Sequence, residues 1–122
     1  MGLGPTLAAT PILTRHKLGL RDIDLWEINE AFEAQVLACL AAWESDRYCR
    51  KVLGLEGALG TIDRNRLNVD GGAIRLGHPV GTSGNRIILH LARTMARSKA
   101  GTGIATECIG GGQGGAMMLE SV

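Results

Sequence analysis

Apolar positions along this 122-residue chain change period several times, and each change predicts an element. Residues 8–17 carry a weak helical pattern, with Gly19 placed to stop it. Ile23, Leu25 and Ile28 then sit among Asp22, Asp24 and Glu27, largely alternating as in a short strand. From Asn29 the period lengthens. Phe32, Val36, Leu40 and Trp43 recur at helical spacing, and Ala31, Ala34, Leu37, Ala38 and Ala41 widen the stripe. Asn29 suits the N-cap of that helix, and Glu30 and Glu33 suit the positive end of its dipole.

Residues 43–66 show little periodicity and carry charges with Gly54, Gly57 and Gly60, which predicts a surface connection holding one short helix near 47–53. A brief strand is expected at 67–69. A second long helix is expected over 84–98, with Ile87, Ile88, Leu91, Ala92 and Met95 inward and Arg86, Arg93 and Arg97 outward. Residues 103–109 and 116–119 read as strands. Helices alternating with short buried strands predict an α/β layered domain, without an internal repeat.

Composition narrows the classes. With 45% apolar and 20% charged residues, the chain is expected to fold as one domain around a packed core. A formal charge of +1, with no interleaving of basic and aromatic residues, argues against nucleic acid or an anionic membrane as partner. No apolar run approaches a bilayer span, and no signal peptide is visible at the start. Three irregularly spaced cysteines suggest a reducing compartment rather than a disulfide framework. The histidines and cysteines lack paired metal-ligand spacing, so no metal is expected.

Eighteen glycines change the picture, because they cluster at 71–84 and 110–115 beside apolar runs. Such clusters read as site-forming loops more than as linkers, since glycine permits close backbone approach. Two strings fail as nucleotide motifs. Gly110-x-Gly112-x-x-Gly115 leads into a strand instead of a helix, and Gly72-x-x-x-x-Gly77 continues with His78 instead of lysine.

Three segments carry candidate chemistry: residues 27–32, 77–81 and 108–112. His78 stands between Gly77 and Pro79, and the run from Gly81 to Gly84 opens a helix whose free N–H groups suit an anionic group. Cys108 ends an apolar strand and precedes three glycines, whose unobstructed N–H groups suit an oxyanion. A thiol there can serve as acid or base if an imidazole tunes it. Cys39 reads as helix core, Cys49 stays undecided, and His16 and His90 read as surface or helix-face residues. Asn29 either caps its helix or turns its amide into a cleft.

In order along the chain, these segments resemble the thiolase family. Asn68-Val69-Asp70-Gly71-Gly72-Ala73-Ile74-Arg75-Leu76-Gly77-His78-Pro79 through Gly84 resembles one of its signatures, and Cys108-Ile109-Gly110-Gly111-Gly112 through Met117 another. Asn29-Glu30-Ala31-Phe32 resembles a third, and residues 1–5 resemble the opening of the carboxyl-terminal thiolase region. The resemblance implies a layered α-β-α domain with a mixed sheet, the carboxyl-terminal half of the family fold. It implies His78 as the base for an acyl-accepting cysteine, and His78 with an Asn29-held water as one oxyanion site. Cys108 would move the proton at the α-carbon or the CoA sulfur, and the Gly110 N–H would serve a second oxyanion site. Ala31 and Phe32 would line the pantetheine channel.

The implied reaction is thiolysis of a 3-ketoacyl-CoA in fatty-acid β-oxidation, with coenzyme A as substrate and no bound cofactor. The implied location is the cytoplasm, or a mitochondrion or peroxisome in a eukaryote. Asp70, Arg75, Glu33 and Asn85 depart from the family pattern, and Asp70 would act on the His78 ring if close and unpaired. The family's acyl-accepting cysteine and amino-terminal half have no counterpart here. A partner half or self-association is therefore expected, and no substantial turnover by the chain alone. The other reading is a truncated or degenerate fragment acting as a binding or structural module. A ketoacyl synthase would need a second site histidine, and only His78 fits.

Overall fold

The computed structural model describes residues 2–122; Met1, first of the 1–5 run, lies outside the described residues. Helix α1 spans Gly4–His16, with Pro5 in its first turn and Lys17 closing it in the left-handed conformation. It begins earlier than its apolar pattern indicates because Pro5 presets the helical φ where no N–H partner is needed. A 3-10 turn at Leu20–Asp22 leads to strand β1, Leu25–Ile28, and then to helix α2, Glu33–Glu44. Short helices follow at Asp46–Lys51 (α3) and Ala73–Leu76 (α4), with a 3-10 turn at Arg64–Arg66 between them. Helix α5, Ser83–Ser98, precedes strands β2, Thr102–Ile109, and β3, Gln113–Glu120.

The sheet is mixed, in the order β1-β2-β3. Trp26 pairs with Ile104 in a parallel ladder, and Ile104 with Met118 in an antiparallel one. Side-chain alternation splits the apolar residues between two faces. Trp26, Ile28 and Ile104 pack with Ala9 and Leu13 of α1 and Val36, Leu40 and Trp43 of α2. Ala105 packs on the other face with Ile87, Leu91 and Met95 of α5. The result is three layers, helices on both sides of a sheet, in agreement with the expected α/β class. Trp26 and Trp43 place their ring centroids 5.6 Å apart at the centre of the larger core.

Several expectations change. Residues 67–69 do not form a strand. Leu67 makes a single bridge to Trp26, and Asn68 adopts φ +47°. The Asn68 side chain then accepts from Ile28 N at 2.9 Å and donates to Ile28 O at 3.0 Å, closing the outer edge of β1 in place of a backbone. Residues 43–66 are not merely a surface excursion, since Trp43, Cys49 and Ile62 are buried and Leu53 and Leu59 pack on the core. Strand β3 starts inside the second glycine cluster. Gly114 runs so close to the Gly4 backbone that a side chain has no room there.

Candidate active site

Asn29 does not cap α2. The cap position is Phe32, whose extended backbone (φ −150°, ψ 146°) delays the helix to Glu33. Residue 29 instead continues the strand, its N–H donating to Thr106 O at 2.9 Å, and its side chain is buried at 1% exposure. The amide nitrogen Nδ2 lies 3.4 Å from Nδ1 of His78. Glu30 likewise serves a loop rather than a helix dipole, accepting from Asn68 Nδ2 at 3.0 Å and from Ile74 N at 3.1 Å. The first glycine cluster is thereby tied to the end of β1.

Gly77, at φ +95°, turns the chain out of α4 and presents His78. The ring is anchored at Nδ1 by Ser83 Oγ, 2.7 Å away, and Ser83 is fully buried at the start of α5. Nε2 has no protein partner among the described residues. Cys108 stands at the end of β2, opposite Gly114, at 9% exposure. Ile109 pairs with Gln113, so Gly110, Gly111 and Gly112 form the loop between β2 and β3, with φ near +80° at Gly111 (+79°) and Gly112 (+78°).

These segments meet at one cavity of about 450 Å³, lined among others by Ala31, Phe32, His78, Val80, Cys108 and Gly110. Five of the six residues singled out in the sequence line it, and the sixth, Asn29, holds the ring of His78 from behind. Phe32, Val80 and Ile109 leave its rim apolar and exposed. A larger open groove of about 600 Å³ beside Glu30, Glu33, Asn68 and Ile74 contains no imidazole or thiol. The comparisons with known proteins bear on this arrangement. The model of the family described as "Thiolase, C-terminal domain" matches residues 1–121. The chain belongs to the thiolase family. It is 40% identical to a 3-ketoacyl-CoA thiolase of Shewanella loihica over 120 residues, covering 98% of this chain and 28% of that thiolase. It is 42% identical to a 3-ketoacyl-CoA thiolase of Pectobacterium atrosepticum, with the same two coverages of 98% and 28%. The chain therefore spans well under a third of the length of these thiolases.

Against the thiolase pattern, Asp70 takes a different partner from the one anticipated. Its carboxylate binds Arg97 and, at 3.0 Å, Nε2 of His90, instead of acting on His78. The Arg97 hydrogen bond, then that from His90, holds the Asp70 carboxyl below the usual range. His90 is no bland surface residue either, since its Nδ1 meets the buried Glu27 at 2.8 Å. Burial pushes the Glu27 carboxyl up, and His90 and Arg86 oppose that rise.

Arg86, expected to point outward, turns its guanidinium in, with Nη2 3.4 Å from Asn29 Oδ1. Its Nε is buried with no hydrogen-bond partner. Ala92 is exposed and Thr94 is buried in its stead. Helical period and charge send Arg86 to solvent and leave His90 on the surface or the helix face. The signal that places them inside is Glu27, a carboxylate on a strand that needs hydrogen-bond donors or a cation beneath it.

Cys39 is core, as expected, and Cys49 joins it, its thiol donating to the carbonyls of Ala42 and Trp43. Burial raises the Cys39 thiol, and neighbouring Cys108 adds in the same direction. All three cysteines are free. Among the described residues no group of acidic, histidine or cysteine side chains is arranged to hold a metal, and no helix is long and apolar enough to cross a membrane.

Proposed function

We propose that this chain forms the histidine- and cysteine-bearing part of a 3-ketoacyl-CoA thiolase acting in fatty-acid β-oxidation. The observation that carries the reading is the meeting of His78, Cys108 and Gly110 at one apolar-rimmed cavity, with Asn29 behind the ring of His78. In the proposed reaction a cysteine thiolate attacks the 3-keto carbonyl of the acyl-CoA substrate. The bond between C2 and C3 breaks, and the electron pair leaves on C2, which takes a proton to give acetyl-CoA. Coenzyme A then releases the shortened acyl group from the cysteine.

Placement supports a role for each residue in this reading. His78 faces the reacting carbonyl through Nε2, and Asn29 fixes that ring. The thiol of Cys108 gives the proton to C2 and takes the proton of the incoming CoA, which asks it to work as an acid and then as a base. The Gly110 N–H at the hairpin serves an oxygen that becomes negative in the transition state. Ala31 and Phe32 are suited to the pantetheine arm.

Neither remaining cysteine fits as the acyl acceptor, since Cys39 and Cys49 are both at 0% exposure within helices. The acceptor is thus read as coming from an amino-terminal thiolase half, and the exposed Phe32, Val80 and Ile109 as surface which that half or a second copy covers. The cytoplasm is the proposed location, as a reducing compartment keeps the thiols free.

Complementation tests the reading. Co-expression with the amino-terminal portion of a similar thiolase is expected to yield a complex that cleaves a 3-ketoacyl-CoA in the presence of CoA, while the chain alone does not. A stable complex without thiolysis would instead support the binding-module reading.

A further inference from the structure

We propose that Arg86 is a positioning residue that sets the tautomer of His78 by locking the Asn29 amide. The inference rests on the reading of His78 as the residue that faces the reacting carbonyl, and it decides which ring nitrogen carries the proton there. A guanidinium donates hydrogen bonds and never accepts them. With Arg86 Nη2 3.4 Å away, the Asn29 atom facing it must be the acceptor, Oδ1. The other end of the same amide, Nδ2, is then the atom 3.4 Å from His78 Nδ1. Nδ2 only donates, so Nδ1 must accept, and the proton of the neutral ring sits on Nε2.

Ser83 agrees with this assignment. Its hydroxyl is 2.7 Å from Nδ1 and in this tautomer donates to the single ring lone pair there, with the more distant Asn29 Nδ2 a secondary contact. The competing use of that proton is the Pro79 carbonyl at 3.3 Å, a longer contact to an oxygen that already accepts from Thr82 N at 2.8 Å and Ser83 N at 3.0 Å. The opposite tautomer would set Nδ1–H against the amide N–H of Asn29. Turning the amide would relieve that contact only by setting its N–H against Arg86. This arrangement sets neither His78 Nδ1 nor the Asn29 amide against a like group, although Arg86 Nε stays without a partner, and it leaves Nε2–H pointed away from these groups, ready to donate to a carbonyl oxygen. Abstraction of a thiol proton by Nε2 then requires the other tautomer, reached when Ser83 swings its hydroxyl to Pro79 and the amide lets go of Arg86.

Nitrogen-15 spectra of the histidine-labelled full chain, at a pH where the ring is neutral, read the tautomer directly. His78 is assigned by its disappearance in His78→Gln. The expected wild-type result is a pyridine-like Nδ1 and a pyrrole-like Nε2. Arg86→Met is expected to lose that single pattern, and Arg86→Lys, which still donates, to keep it. Asn29→Asp, the same shape with no donor, is expected to move the proton to Nδ1, and it serves if Arg86→Met does not fold. A pyrrole-like Nδ1 in the wild type overturns the proposal, as does an unchanged pattern in folded Arg86→Met or in Asn29→Asp. No substrate is used, so these outcomes are separate from the success or failure of thiolysis by the complemented complex.

Discussion

The Glu27 carboxylate and Nδ1 of His90 meet at 2.8 Å between the sheet and α5, with Glu27 at 3% exposure. A buried carboxylate is tolerated only with a donor beside it, and His90 supplies one. Because Nε2 of the same ring reaches Asp70, the contact also pins the loop that leads to His78. The framework behind the candidate site is therefore electrostatic as well as apolar.

His90→Leu tests that framework. The folded-state pKa of Glu27 already lies above its ordinary value because of burial, and removing His90 removes one of the influences holding it down. A carboxyl with a raised folded pKa favours folding below its unfolded pKa and loses that contribution as pH rises through the folded value. The variant is thus expected to be destabilised by about 3 kcal/mol in alkaline buffer and by clearly less in acid. Urea midpoints at the two pH values decide it, and an equal loss at both would exclude Glu27 as the cause.

Cys108→Ala, made in the complemented complex, is expected to lower thiolysis by about 10²- to 10⁴-fold with little change in CoA affinity, as for loss of a positioned proton donor. Steady-state rates and equilibrium binding of CoA separate the two effects. Unchanged turnover would remove Cys108 from the chemistry.

Much of this arrangement was legible in the residues. The glycine clusters mark the site loops because glycine takes the positive φ at Gly77 and Gly111 without the strain a side chain would bring. Asn29 was ambiguous for a physical reason. An asparagine before an apolar helical stripe suits a cap as well as a cleft, and the choice depends on His78 and Arg86, which are distant in sequence. The inward turn of Arg86 and His90 is a tertiary fact, since periodicity on α5 carries no information about a carboxylate on β1. The side-chain closure of β1 by Asn68 is hidden in the same way, because a brief apolar run reads as a strand whether or not its backbone pairs.

The contact between α1 and β3 is the tightest constraint on the glycine-rich end. A methyl group at Gly114 would strike the Gly4 backbone, whereas one at Gly110 meets nothing within 4 Å. Gly114→Ala is expected to cost about 1–3 kcal/mol by overpacking. Gly110→Ala is expected to stay within about 0.5 kcal/mol of wild type. Chemical denaturation of the two variants side by side measures the contrast, and equal stability would mean that the helix yields to the strand.

Asp24 joins the starts of the two parallel strands. One oxygen of its carboxylate accepts from Gly101 N at 2.8 Å, from Thr102 N at 3.0 Å and from Thr102 Oγ1 at 3.4 Å. The Thr102 N–H is the largest influence on the carboxyl and holds its pKa below the ordinary 3.8, while burial works against it. A carboxyl with a lowered folded pKa stabilises the fold above its unfolded pKa, and that contribution disappears as pH falls through the folded value. Asp24→Asn keeps an acceptor but loses its charge, and the side chain is only half-buried, so a loss of about 1 kcal/mol is expected at neutral pH. As pH falls through that lowered folded value the wild-type carboxyl takes up its proton, and the two proteins should converge in stability. Urea titrations across the acid range follow that convergence. A gap that stays constant with pH would show that the amide disturbs the strand ends by shape and not by charge.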